Sequence, residues 1–285
     1  MLEWDGGLRP KQMGAMKNTK LAVIVIIASA MALALGCGDG GTAAREQVQT
    51  VAYAYRLAPG ATVSVRASNS AVTVRRSDSD SLNVTATLRN PSRIRFFVLP
   101  TGTEPVREIL VSALLIDDKK GDASSGLALL VPDGVTLKIN STNGPLDVEG
   151  ATLVDVNLVT TDAAVSVRSS RGDFTMNTTN GKLDVMGSAG TFWTQTTNGA
   201  IEFAGTIRST RSNRFKTTSG DITVRLSGDP DLLMTVKAEN GTVQADDATP
   251  VSEVDKVLTA RYGEGAGKLD VETVNGNVRI SRTGG

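Results

Sequence analysis

Apolar and polar residues alternate along this chain in short bursts that recur at a nearly fixed spacing. With the last residue of each Asn-Gly-like turn as reference, the series runs Gly144, Ala163, Gly181, Gly199, Gly220, Gly241 and Gly276, separated by 19, 18, 18, 21, 21 and 35 residues. Two residues after each reference lie Leu146, Val165, Leu183, Ile201, Ile222, Val243 and Val278, and four after it Val148, Val167, Val185, Phe203, Val224, Ala245 and Ile280. Between them stand Asp147, Ser166, Asp184, Glu202, Thr223, Gln244 and Arg279, so apolar and polar positions alternate with the period of a strand that is wet on one side. A second strand precedes each turn. Its inward positions are Ile139, Leu158, Met176, Thr194, Phe215, Val236 and Val271, and, two residues earlier, Leu137, Val156, Phe174, Phe192, Asn213, Met234 and Leu269. Only Thr194 and Asn213 break the apolar pattern.

Each unit thus reads as strand, Thr-rich corner, Asn-Gly turn, strand. Asn-Gly is also a hairpin signal, but the same residue types return at the same place in every unit, which predicts coils stacked like on like in a parallel β-solenoid. The fold class expected is all-β, with coils of about 18–21 residues and an N-terminal β capping region. Asn143, Asp162, Asn180, Asn198, Ser219, Asn240 and Asn275 then form a ladder at one corner. The glycines that follow them (Gly144, Gly181, Gly199, Gly220, Gly241, Gly276) are expected to serve left-handed turns. "VSVRASNSAVTV" (63–74) is a further copy with Ser70 in the glycine place. Residues 78–133 keep β-like alternation but lose the period, and are expected to cap the coils or lead into them. "DDATPVSEVDKVLTARYGEGAG" (246–267) fills the long gap as an excursion or irregular coil, and "GKLDVETVNGNVRI" is expected to close the series.

These units carry a family resemblance. Successive x-T-N-G-x-[LIV]-x-V stretches, the lead-in "VPDGVTLKI" and the final "GNVRI" resemble the bacterial putative-adhesin, β-strand-repeat family of unknown function, over roughly residues 50–285. The resemblance implies an exported or envelope-anchored protein and brings no catalytic residues with it. Ala163 in a glycine place is the main departure.

Composition narrows the chemistry. Aromatics are 4% of the chain, and 30 basic residues balance 30 acidic ones, which gives no overall positive field for nucleic acid. The absence of histidine excludes Ser-His-Asp and Cys-His catalysis and imidazole metal sites. No cofactor is implied.

The single cysteine lies near the start. Residues 16–20 are a short basic stretch, "LAVIVIIASAMALAL" (21–35) is an uncharged apolar run suited in length to a signal peptide, and Gly36-Cys37 follows. "LALGC" resembles a bacterial lipobox, which makes Cys37 the lipidated residue. An uncleaved anchor and ordinary signal-peptidase cleavage are the other readings. The organisation expected is a non-native upstream extension (1–15), a lipoprotein signal peptide (16–36), a flexible tether (37–50) and one β-solenoid domain (51–285), with an N-terminal β region (51–133) and regular coils (134–285).

Four local features bear on function. Asp184 and Glu202 should stack on adjacent coils, with Asp147 two coils earlier. Stacked carboxylates suit Ca²⁺ or glycoside chemistry, but equally a solvated face relieved by Lys182. No metal or catalytic residue is assigned. Arg208, Arg211, Arg214 and Lys216 crowd one connection and are the candidate ligand contacts, for an anionic glycan or phosphate. "DDKKGD" (117–122) reads as a charged turn. Of Phe192 and Trp193, one must point outward. The function expected is a non-enzymatic, lipid-anchored interaction module of the bacterial cell envelope, with the membrane, a cell-surface glycan or an envelope protein as partners. The alternatives are a polysaccharide-acting β-helix enzyme and an envelope-stress or structural module without glycan affinity.

Overall fold

The computed structural model describes residues 47–116 and 123–283. The leader, Cys37 and the 117–122 turn lie outside them. The chain opens with β1 (Val48–Ala67), β2 (Ser70–Arg76), β3 (Ser81–Arg89), β4 (Ile94–Thr101), β5 (Val106–Leu115) and β6 (Ser124–Val131). Regular coils follow: β7 (Thr136–Ser141) with β8 (Leu146–Glu149), and β9 (Thr152–Val159) with β10 (Val165–Arg168). Next come β11 (Arg171–Thr178), the long β12 (Leu183–Asn198), β13 (Ile201–Ile207), β14 (Ser212–Ser219) and β15 (Ile222–Ser227). The last stretch holds β16 (Leu232–Asn240), β17 (Val243–Ala245), β18 (Thr249–Val254), β19 (Val257–Tyr262), β20 (Gly267–Asn275) and β21 (Val278–Thr283).

Like strands stack in parallel and form two walls of a β-solenoid. Wall A runs β5, the second half of β1, β7, β9, β11, the second half of β12, β14, β20, β16. Wall B runs β6, β2, β8, β10, the first half of β12, β13, β15, β21, β17. Register follows the sequence pattern: Ser166 lies beside Asp147 and Asp184, and Val167 beside Val148 and Val185. The inward residues are buried almost without exception. At mid-rod, Phe174 stacks on Phe192 (5.2 Å between ring centroids), Phe192 meets Phe203 edge-on (4.8 Å), and Phe203 meets Phe215 (5.2 Å). The two polar inward residues are buried and hydrogen-bonded. Thr194 Oγ1 donates to the Arg214 carbonyl, and Asn213 Oδ1 accepts from the Phe192 amide at 2.8 Å while its Nδ2 donates to the Arg211 carbonyl at 3.0 Å. Asn213 thereby ties the 208–211 connection to the core.

Chain order and stacking order part company at both ends. The coil of β5 and β6 lies outside the coil of β1 and β2, although it follows it in sequence. At the far end β20 and β21 insert between β14–β15 and β16–β17. The stretch expected to close the series is therefore an interior coil, and β5 and β6, in the region expected to cap the coils or lead into them, stack as a coil of their own. The cover comes from antiparallel strands: β4 on β5, β3 between β6 and the first half of β1, and the β18–β19 hairpin on β16. Such strands pair the backbone groups that an open coil end would leave unmet. Tyr262 closes the far end, its phenol donating to the Asp246 carbonyl, and burial pushes its pKa up.

Candidate binding face

The turns show what each residue of Thr-Thr-Asn-Gly does. The first threonine is buried and donates its hydroxyl to the turn carbonyl of the preceding coil: Thr178 to Ala163 (3.1 Å), Thr196 to Gly181 (3.1 Å), Thr217 to Gly199 (2.9 Å) and Thr273 to Gly220 (3.0 Å). The asparagine extends a side-chain ladder along the exposed edge. Asn180 Nδ2 donates to Asp162 Oδ1 (2.5 Å), Asn198 Nδ2 to Asn180 Oδ1 (2.8 Å) and Asn240 Nδ2 to Asn275 Oδ1 (3.0 Å). The Asn143 amide lies 2.9 Å from Asn69 and, oriented to satisfy its hydrogen bonds, donates to Asp162 at 3.3 Å. Ser219, too short to reach, interrupts the ladder between Asn198 and Asn275.

The glycines answer to a different constraint from the one expected. Gly181, Gly199, Gly241 and Gly276 do not have positive φ. Instead a Cβ on Gly199 would sit 2.0 Å from the Gly181 carbonyl oxygen, and one on Gly181 1.9 Å from that of Ala163. The carbonyl that accepts the threonine hydroxyl fills the space where the next turn's side chain would be. Gly144 and Gly220 combine the same close approach with positive φ.

On wall B, Asp184 and Glu202 are cross-strand neighbours. The Lys182 ammonium lies 2.8 Å from Glu202 and 3.9 Å from Asp184. Asp147 is held by Arg168 at 3.0 Å and by Arg75 at 3.7 Å. This is an ion-paired outer face. Among the described residues no group of acidic side chains, Cys or His is arranged to hold a metal ion.

Wall A carries the basic connection and the exposed aromatic. Arg208 and Arg211 both pair with Asp173, at 3.1 and 3.3 Å, and Arg214 and Lys216 with Glu272, at 3.2 and 2.9 Å. All four sequence-derived contact residues are thus brought together on one wall, two to a carboxylate. Hydrogen bonding from Lys216, reinforced by Arg214, holds the Glu272 carboxyl below its ordinary value against the opposing effect of burial. Asp173 and Glu272 were missed in the sequence because they lie 35 and 58 residues from partners they meet only after stacking.

Alternation puts Phe192 inside and Trp193 outside, where it is 48% exposed. The Arg214 guanidinium lies 5.8 Å from the indole ring centroid. Beside it a shallow groove of about 370 Å³ runs across the coils, lined by Lys138, Asp155, Asn157, Asp173, Thr175 and Trp193 among others. An aromatic plate, a stacked cation and a row of short polar side chains present flat, repeated hydrogen-bonding groups to an extended ligand.

The profile of the family described as Toastrack DUF4097 matches residues 61–281. No curated protein matches the sequence. Among solved structures, a putative cell adhesion protein from Clostridium sporogenes is 12% identical, with 84% of this chain and 100% of that one covered and a TM-score of 0.34. A putative adhesin from Parabacteroides merdae is 11% identical, covering 81% and 96%, with a TM-score of 0.37. One from Bacteroides fragilis is 10% identical, covering 81% and 97%, at 0.32. Identities and scores this low do not carry function across. Among the described residues no helix is long and apolar enough to cross a membrane.

Proposed function

The chain belongs to the Toastrack DUF4097 family, and on that premise we propose that it is a non-enzymatic lipoprotein of the bacterial cell envelope whose wall A binds glycan at Trp193. The observation that carries the reading is the half-exposed indole in the middle of a flat polar wall. Core-packed tryptophans bury their rings, and one left open beside a stacked guanidinium matches the composition of binding hot spots. Sugar C–H faces stack on such a ring, while Asn157, Thr175 and the Asp173–arginine pairs offer donors and acceptors to hydroxyls. Repetition along the rod favours a polymer held at several weak points over a single enclosed small molecule. Lipidation at Cys37 would tether the rod to the envelope.

The test is binding of the purified protein to an array of bacterial and host glycans, followed by titration of any hit against a Trp193→Ala variant. The expected loss is about thirtyfold or more in affinity, the range of a hot-spot aromatic. Undiminished binding by the variant, or no glycan bound by the parent, overturns the reading. Protease shaving of intact cells then decides whether the partner lies outside the cell or within the periplasm.

A further inference from the structure

The N-terminal end of wall A joins exposed apolar side chains to arginines, whereas the apolar side chains exposed at the far end, Val251 and Val254, lie among carboxylates. On β4 the outward residues are Arg95, Phe97, Leu99 and Thr101, with Phe97 38% and Leu99 56% exposed. Across β5 the half-buried Leu110 and Leu114 continue the same side, paired opposite Leu99 and Arg95, and Ile116 is 57% exposed. Arg66 follows on the neighbouring strand. Among the described residues no ion pair holds Arg66 or Arg95, in contrast to the paired cations around Trp193. Residues 81–116 hold four arginines against two carboxylates, Glu104 and Glu108, the latter opposite Thr101 on β5. The opposite end has the reverse sign: residues 239–264 hold six carboxylates against Lys256 and Arg261.

The chain also arrives at this basic, apolar end. The Asn90 amide donates to the Gln47 carbonyl at 2.7 Å, so the start of β1 is fixed beside the turn that leads into β4. Residues 1–46, with their 15-residue apolar run at 21–35, join the fold there. Between Cys37 and Gln47 the chain reaches at most roughly 35 Å when extended, less than the length of the rod, which is about 50 Å at ~4.8 Å per strand.

We propose that this rim, formed by Phe97, Leu99, Arg66 and Arg95, docks on the anionic lipid surface to which the chain is anchored. Exposed apolar side chains enter the headgroup boundary while free cations meet lipid phosphates. The acidic far end is repelled, which gives the rod one orientation, resting on its basic rim. Trp193, six strands from β4, is then held roughly 25–30 Å along the rod from the contact. The proposal rests on the reading of residues 16–37 as an export and anchoring segment.

The test uses the full chain, isolated from bacterial membranes and reconstituted in vesicles of phosphatidylethanolamine and phosphatidylglycerol, or of phosphatidylcholine alone, with brominated lipid as quencher. The emission added by Phe97→Trp is measured against the parent, and Val251→Trp on β18 serves as the far-end control. The expected result is quenching of the Phe97→Trp signal in anionic vesicles only, with the Val251→Trp signal untouched. The double reversal R66E/R95E should shift docking about thirtyfold or more toward the free state, at roughly a factor of five for each cation lost. An unquenched Phe97→Trp signal on vesicles that carry the protein overturns the proposal. Equal quenching at both ends does so too, as does a Phe97→Trp signal already shielded without lipid, which would assign the patch to another part of the chain or to a second copy. Intact mass reports separately whether Cys37 is acylated, so failure of the anchor and failure of the docking surface are told apart.

Discussion

A methyl group on Gly199 would lie 2.0 Å from the carbonyl oxygen of Gly181, which the Thr196 hydroxyl holds in place, and 3.1 Å from that hydroxyl itself. Backbone clamped by hydrogen bonds on adjacent coils cannot yield as a flexible side chain does. Gly199→Ala should therefore destabilise the protein by about 3 kcal/mol, the upper range for overpacking. Gly126→Ala, with nothing within 4 Å of its added Cβ and no positive φ, should be near neutral. Thermal melting of the two variants side by side checks this. The sequence showed that glycine recurs at this place, but not why. A left-handed turn and a close approach leave the same residue behind, and only the neighbouring coil's backbone distinguishes them. Ala163 shows the converse: its turn gives its carbonyl to Thr178 and to the gap at Gly181, so the unit still serves the coil above it.

Between strands, alternation was the most legible feature, since burial on one side enforces it at every step. It also required one of Phe192 and Trp193 to face outward, and that one is Trp193. Thr194 and Asn213 looked like breaks in the pattern and are not, because each finds backbone partners inside the core. What alternation could not supply is which outward charges meet, since that depends on which strand lies alongside. The Glu272 contacts on β20 with Arg214 and Lys216 on β14 illustrate this. Because the folded state holds the Glu272 carboxyl below its ordinary value of 4.5, its contribution is fully present above that pH and is lost as pH falls through the depressed value. Glu272→Gln should thus lower stability at neutral pH and flatten its decline on acidification. Denaturant midpoints measured from pH 7 downwards test the sign, and a decline as steep as the parent's would contradict it.

At the level of the whole rod, the stacking order was hidden, because every coil presents nearly the same inward residues and any could in principle lie on any other. One clue was in the sequence: Thr178, Thr196, Thr217 and Thr273 occupy the corner that bonds the preceding turn, while the corresponding residue before Gly241 is Ala238. The coil with the threonine is the one that sits on Gly220, and the coil with the alanine is left at the end. A chain ending at residue 263 should consequently lose far more than one coil, since it empties a slot between β14–β15 and β16–β17. Calorimetry should show a collapse of the cooperative transition, not the modest loss expected when a terminal repeat is peeled away. The same crossings bear on how such a protein changes length over evolutionary time. From β7 to β15, chain order and stacking order agree, so a duplicated unit can be spliced in by copying one stretch of about 18 residues. At either end a new unit would have to be threaded through an existing crossing, so kin of different length should differ in the number of middle coils while sharing both ends.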